Sequence, residues 1–493
     1  MAAMSDTAAG DLSSTRDGAR STAWPLVAIC VGYFMVILDT TVVNVALPAL
    51  SRGLHTSTTG LQWVVDGYSL AFAALLLSGG ALADRCGAKA VFCTGVGVFT
   101  LCSAVAGVAT STAMLIAARA AQGAGAALAV PASLSLLQAI YADQRARRRA
   151  FGIWGGVAGI AAGAGPVLGG ALVAAAGWRS VFFVNVPVGI AGLLLAGRVV
   201  PSVARRPHGV DPAGQAAACV ALTGLSVALI DAGSAGWSAP VVLGGLVAFL
   251  VAGAAFLLVE HRVARPILPL EMFASRQLSA ATTVGLLLNL GFYGELFVTT
   301  LYLQQHLGLS PLLAGVALLP QMAMAVVGST ASGLVMARTG PRPPMLAGLL
   351  LGAAGLFGLT APGPHGPYAV LVVPFLAVGL GMSFTMPAAT AAVMEAAPTD
   401  RAGLASGTLN AARQVGGVLG VALLGTLVAR QRHFVAGLHL DMAIAGAAFL
   451  LGSILSLWSI GQGERTTVLP RTSAEQPNGA SSDGRAPAAS SAT

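Results

Sequence analysis

The chain is poor in charge. Of its 493 residues only 9% are Asp, Glu, Lys or Arg, against 56% hydrophobic, whereas a soluble domain carries about 25% charged residues. Too little polar surface remains to face water, so the solvent must be largely lipid. Lysine is nearly missing: Lys89 is alone among 26 basic residues. It is followed by Ala90, not by Ser or Thr after a Gly-rich turn, which excludes a P-loop and with it transport driven by ATP hydrolysis within this chain. Cysteines are few and odd in number (Cys30, Cys86, Cys93, Cys102, Cys219). They form no CxxC or Cys/His ligand spacing, so neither a metal site nor a cofactor is expected, and the thiols read as small packing groups. Residues 1–22 hold no basic start followed by a short apolar core, so the first apolar run is expected to stay as a helix. The net charge of +8 calls for no nucleic acid, because basic residues gather between apolar runs as they do in cytoplasmic loops.

What the chain has is long apolar runs. They lie near 24–47, 60–82, 90–109, 112–137, 150–175, 180–199, 213–232, 240–259, 279–304, 312–336, 344–361, 367–389, 402–428 and 441–460. Each approaches the 20 or so residues that a spanning helix needs. Continuous runs of this length predict helices and not barrel strands, which alternate over about ten residues. The expected fold class is therefore an all-α polytopic membrane protein with 14 transmembrane helices. With the N-terminus inside, twenty basic residues fall in cytoplasmic segments and four outside (Arg52, Arg179, Arg430, Arg432), with Arg119 and Arg413 inside helices. That asymmetry predicts cytoplasmic N- and C-termini in a cell membrane. The tail over 462–493 is of low complexity and is expected to be disordered.

An internal repeat divides the chain. GALADRCGAK over 80–89 reappears as GLVMARTGPR over 333–342, with Gly80, Arg85, Gly87 and Lys89 matched by Gly333, Arg338, Gly340 and Arg342, while Asp84 becomes Ala337. Two copies of one turn imply a duplicated bundle, as in transporters whose halves rock about a midplane site. The expected organisation is an N-terminal tail over 1–22, a six-helix bundle over 23–200, two inserted linker helices over 201–265, a second six-helix bundle over 266–461, and the tail.

Several motifs, in order, give this pattern a family likeness. LDTTVVNVALP (38–48), LQWVVDGYSLAFAALLLSGGALADRCGAK (61–89) with Trp63 and Tyr68, LIAARAAQGAGAAL (115–128), GAGPVLGG (163–170) and WRSVFFVNVPVG (178–189) together resemble the fourteen-helix drug:proton antiporter branch of the major facilitator superfamily. The chain is similar to antibiotic-resistance exporters of antibiotic-producing bacteria. The resemblance implies two six-helix bundles plus two extra central helices. It also implies that core helices one, four, seven and ten line a central cavity, the ninth span here being core helix seven.

Three charged residues stand on cavity helices under that scheme: Asp39, Arg119 and Glu295. An Arg at mid-helix costs about 2.5–3.5 kcal/mol on insertion scales, so Arg119 needs a counter-charge or a wet cavity. Burial favours the neutral form of a carboxylic acid and a neighbouring cation the ionised form, so such a site can exchange a proton for a cationic substrate. Asp39 belongs to the resembling motif and also has a plain structural reading, a hydrogen-bonding acid near Thr40 and Thr41; Glu295 matches no motif. Asp84, Arg85, Gly87 and Lys89 form a tight turn that reads either as a conformational latch or as a basic anchor. Gly165, Pro166, Gly169 and Gly170 read as a packing and hinge surface, small residues allowing close approach in lipid and proline opening the helix ladder. Asp66 and Asp231 are expected as solvated acids near outer helix ends. Arg413 is expected to pair with Glu395 or Asp400, and Gln304, Gln305 and Gln321 to line an outer cavity. The resulting expectation is a non-enzymatic, proton-coupled exporter of small amphipathic or cationic compounds, acting as a monomer by alternating access. A metabolite permease, or a membrane-embedded enzyme or sensor, are the rival readings.

Overall fold

The computed structural model describes residues 6–202, 211–263, 268, 270–361, 363, 366–397, 402–430 and 434–459. Arg205, Arg206, Arg265, Asp400, Arg401 and the tail over 462–493 lie outside the described residues. Among the described residues there is no strand, as expected where lipid leaves every backbone polar group to be satisfied within its own segment. Fourteen spans follow one another: α1 (Ala23–Leu54), α2 (Thr58–Cys86), α3 (Ala88–Gly107), α4 (Thr112–Ile140), α5 (Gln144–Ala176), α6 (Ser180–Val199), α7 (Pro212–Ala235), α8 (Pro240–Arg262), α9 (Arg276–His306), α10 (Pro311–Thr339), α11 (Arg342–Gly358), α12 (Ala369–Ala396), α13 (Leu404–Val428) and α14 (Phe434–Ser459). Thirteen are long and apolar enough to cross a membrane on their own count. The other, α11, has 17 residues, about 26 Å at 1.5 Å per residue, just short of a 30 Å hydrocarbon core. The helix carrying α1 already begins at Asp6.

Local chemistry sets the helix ends. Ser57, Ser111, Asp143, Ser275 and Ser310 each accept a bond from a backbone N–H of the following turn, which satisfies one of the orphan donors of a helix start. Gly87 (φ 99°) and Gly340 (φ 78°) close α2 and α10 in a left-handed conformation that disfavours any side chain. The repeated turn thus places a positive-φ glycine at the same point of both copies.

Packing divides the spans into two bundles and an inserted pair. Within the first, α2 and α3 lie on α4, and α1 lies on α5 and α6; within the second, α9 lies on α13 and α14, and α12 on α10 and α11. The bundles meet along two seams, α2 with α13 and α5 with α10. The hairpin α7–α8 attaches to the first seam, α7 touching both α2 and α13. Thr426 of α13 donates to the Leu229 carbonyl at 2.8 Å, and Asp231 of α7 takes a side-chain bond from Trp63 of α2. Asp231, expected as a solvated acid, is therefore half-buried and anchors the hairpin. α8 packs on α7 through Gly224 and Gly245, and only 17% of its most apolar stretch is buried, so most of its surface faces lipid.

Candidate functional site

Asp39 and Arg119 lie at the centre of the first bundle, both buried, their carboxylate and guanidinium in direct contact. Asp39 stands on α1 and Arg119 on α4, so the pair ties two cavity helices together. The other Asp39 oxygen accepts a bond from Asn185 Nδ2 at 2.9 Å. Asn185 opens the second segment of α6, immediately after its break at Val184, and this kink brings the amide to the pair. Arg119 donates from Nε to the Val64 carbonyl at 3.1 Å and from Nη1 to Gln122 Oε1 at 3.2 Å. Gln122 in turn donates to Ser103 at 2.7 Å. The Tyr68 ring covers the guanidinium at 4.3 Å. Every partner is fixed by a helix, so a proton arriving on Asp39 would unbalance a network across α1, α2, α3, α4 and α6. Asn185, Gln122 and Ser103 were not singled out by sequence reasoning.

Glu295 is somewhere else. It is fully buried on α9, accepting bonds from Thr299 Oγ1 at 3.0 Å and from Gln321 Nε2 of α10 at 2.8 Å. The expectation of one polar cavity shared by Asp39, Arg119 and Glu295 is corrected by helix geometry. Tyr293 lines the cavity between the bundles together with Thr40, Tyr68, Ser69, Arg119 and Gln414. Two residues further along α9 is about 200° around the axis, so Glu295 turns towards α10. Gln321, expected at an outer cavity, holds Glu295 instead, while Gln304 reaches across to the Val45 carbonyl of α1 at 2.8 Å.

Two further expectations change. Asp66 is not solvated: it is fully buried, and neither carboxylate oxygen has a hydrogen-bond partner among the described residues. Nearness to a helix end says nothing about which way a side chain faces, and α2 turns Asp66 into the bundle. Arg413 does not pair with Glu395; its two described bonds go to Asn410 Oδ1 at 3.3 Å and Met386 Sδ at 3.2 Å.

The glycine motif of α5 lies in both contacts of that helix. A Cβ on Gly165 would stand 1.9 Å from Thr41 Oγ1, and one on Gly169 2.7 Å from the Val42 carbonyl, both on α1. On the opposite side a Cβ on Gly170 would meet the Pro311 carbonyl at 2.4 Å, and one on Gly315 of α10 the Pro166 carbonyl at 2.1 Å. α5 is thus clamped against α1 within its bundle and against α10 across the seam. Gln62 strengthens the other seam at the same end, donating to the Val421 and Ala422 carbonyls of α13 at 3.1 and 3.0 Å. In the opposite half of α5, Gly152, Gly155, Gly156 and Gly159 have open space beside them. The bundles are therefore closed at the end holding the α1–α2 turn.

The repeated turn has matched contacts. Lys89 Nζ donates to the Gly197 carbonyl at 3.0 Å, and Arg342 Nη2 to the Leu457 carbonyl at 2.6 Å. Each cation caps the last turn of the sixth core helix of its own bundle, where orphan carbonyls and the helix dipole favour positive charge. Arg85 is exposed. A single exposed cation at a helix end is worth about 0.3–1 kcal/mol, so Lys89→Ala and Arg342→Ala should each lower initial transport rates by less than about fivefold. A loss of 100-fold in vesicle uptake for either would show that the turn does more than cap.

The comparisons decide the family. A profile described as Major Facilitator Superfamily matches residues 29–421. The chain belongs to the Major Facilitator Superfamily. Within that superfamily it is 40% identical over 433 residues to a methylenomycin A resistance protein of Bacillus subtilis (strain 168), with 87% of this chain and 92% of that protein covered. It is also 40% identical to the tetracenomycin C resistance and export protein of Streptomyces glaucescens, covering 86% and 79% of the two chains. The cephamycin export protein CmcT of Amycolatopsis lactamdurans matches at 38% identity, over 82% and 84%. Among solved structures, a peptide transporter POT in complex with sulfate superposes with a TM-score of 0.68 at 17% identity, over 87% of this chain and 93% of that one. At that identity the likeness speaks for the fold alone. Membership of the Major Facilitator Superfamily makes this a multi-pass membrane transport protein and not an enzyme.

Proposed function

We propose that this chain exports small amphipathic, antibiotic-like compounds across the cell membrane in exchange for protons, by alternating access, with both termini in the cytoplasm. The observation that carries this reading is the buried Asp39–Arg119 contact between two cavity helices, held by Asn185 and Gln122. With Asp39 ionised, the pair is neutral and α1 is tied to α4. With Asp39 protonated, Arg119 loses its counter-charge and must find another partner, which couples proton uptake to helix movement. One charge crossing the membrane is worth about 2.3 kcal/mol per 100 mV, enough to drive uphill export. The names of the relatives, which include resistance and export proteins, support the substrate class. Inverted membrane vesicles test the reading: an imposed acid-inside gradient should drive uptake of a fluorescent amphipathic cation, and absence of uptake across a drug panel would reject it.

Glu295 supplies the recognition of positive charge in this scheme. No charged group among the described residues neighbours it, so its carboxylate, held by Thr299 and Gln321, has no counter-ion and can take a cationic group if α9 and α10 part. Glu295→Gln should lower efflux of cationic drugs about tenfold, a loss near 1.4 kcal/mol that fits one charged hydrogen bond. Neutral drugs should be affected less than twofold. Equal losses for both classes would remove Glu295 from substrate recognition.

A further inference from the structure

Arg413 is a half-buried cation that the Asp39–Arg119 network leaves unused. It stands on α13, its stem crossing α9 at Gly285, where a Cβ would lie 3.2 Å from Arg413 Cγ. Five N–H donors are met by two weak acceptors, the Asn410 amide oxygen and the Met386 sulfur, and Nε is buried with no partner. Arg119 has in addition a carboxylate and a carbonyl beside its amide oxygen. No carboxylate among the described residues acts on Arg413; the ionisable groups within electrostatic reach are the phenols of Tyr33 on α1 and Tyr293 on α9. Among the described residues this guanidinium has no anion.

The surroundings also say what shape that anion has. Tyr293 and Gln414 line the cavity between the bundles, as does Gly417, one turn beyond Arg413. Tyr33 is stacked on Trp154 of α5, centroids 3.9 Å apart and nearly parallel. The cation therefore sits beside the cavity, with the phenols of Tyr33 and Tyr293 near it and the stacked Tyr33–Trp154 pair beyond. We propose that Arg413 receives the acidic group, a carboxylate or an ionised phenol or enol, of a flat apolar compound that this protein exports. The guanidinium fork matches a carboxylate through two parallel bonds, while the rings pack the apolar body. The proposal rests on the reading of the chain as an exporter and sharpens its substrate class: acidic compounds are carried as well as cationic ones, at a different residue from Glu295.

Two xanthene dyes test this, carboxyfluorescein as the acid and tetramethylrhodamine ethyl ester as the cation. Purified protein is reconstituted in phosphatidylcholine alone, so that no anionic headgroup competes for Arg413. With an acid-inside gradient, wild-type protein should accumulate both dyes. Arg413→Gln should cut carboxyfluorescein uptake at least about tenfold through a raised KM, leave the rhodamine ester within about twofold, and be partly restored in Arg413→Lys. Equal loss of both dyes, no change in either, or rhodamine uptake without carboxyfluorescein uptake by the wild type would each overturn the anion site. Fluorescence anisotropy separates this from the export reading. Arg413-dependent binding of carboxyfluorescein without gradient-driven uptake of either dye would sink proton-driven export and leave the anion site standing.

Discussion

Asp39→Asn should abolish uphill export, lowering gradient-driven uptake by at least about 100-fold, and should also lower thermal stability. The amide is nearly isosteric, so space is unchanged; what is lost is the charge opposite Arg119. Removing one member of a buried ion pair leaves the other uncompensated and costs about 3–5 kcal/mol. The second bond, from Asn185 to the other carboxylate oxygen, weakens as well, since one side of the amide is no longer an acceptor. A purely structural acid would give the same loss of stability, so the single variant does not separate the two roles. The double variant Asp39→Asn/Arg119→Gln does. Without an orphaned guanidinium it should recover most of the melting temperature and remain inserted, yet show no coupling of uptake to the proton gradient. Retained uphill transport in the double variant would make Asp39 a structural residue.

Gly315→Ala should impair transport more than tenfold, although no charge is touched. Its Cβ would stand 2.1 Å from the Pro166 carbonyl, well inside contact distance, and the Cβ is fixed to one helix backbone while the oxygen belongs to the other. The seam between α5 and α10 must open by more than an ångström to admit it. Overpacking of this kind costs typically about 1–3 kcal/mol, which shifts a two-state equilibrium roughly 5- to 150-fold away from closure at this end. A cysteine placed at Ser69 in the cavity, on a cysteine-free background, should then react faster with a membrane-impermeant maleimide added from the closed end. Gly159→Ala is the control, since open space lies beside it; its transport and labelling should match wild type. Normal transport by Gly315→Ala would mean that the seam never closes this tightly in the working cycle.

Much of the architecture was legible because lipid makes helices and their lengths nearly obligatory. The repeated turn announced the duplication, and its two glycines both take a positive φ. α11 marks the margin of that reasoning, a span of 17 residues whose ends are set by Pro341 and the loop after Gly358. The site was legible only in part. Asp39 and Arg119 are joined, but sequence reasoning had no rotational reference for α9 and so placed Glu295 with them; Tyr293 holds the cavity position. Depth along the span does not reveal the burial of Asp66 and Asp231, because burial depends on which neighbour the helix face meets. Asn185 was within reach: it sits in WRSVFFVNVPVG, a polar residue two positions before Pro187 in a span that otherwise reads as apolar. Gln122 likewise lies three residues after Arg119, on the same helical face.

The central claim is that proton movement and drug movement are one process, joined at Asp39. Proteoliposomes carrying an internal pH dye and a preset acid interior measure this directly. Adding an exported drug outside should discharge the gradient in wild-type vesicles, at a rate that saturates with drug concentration, and should leave it intact in vesicles containing Asp39→Asn/Arg119→Gln. Drug uptake by the wild type with no accompanying proton efflux, or equal discharge by the double variant, would contradict the account.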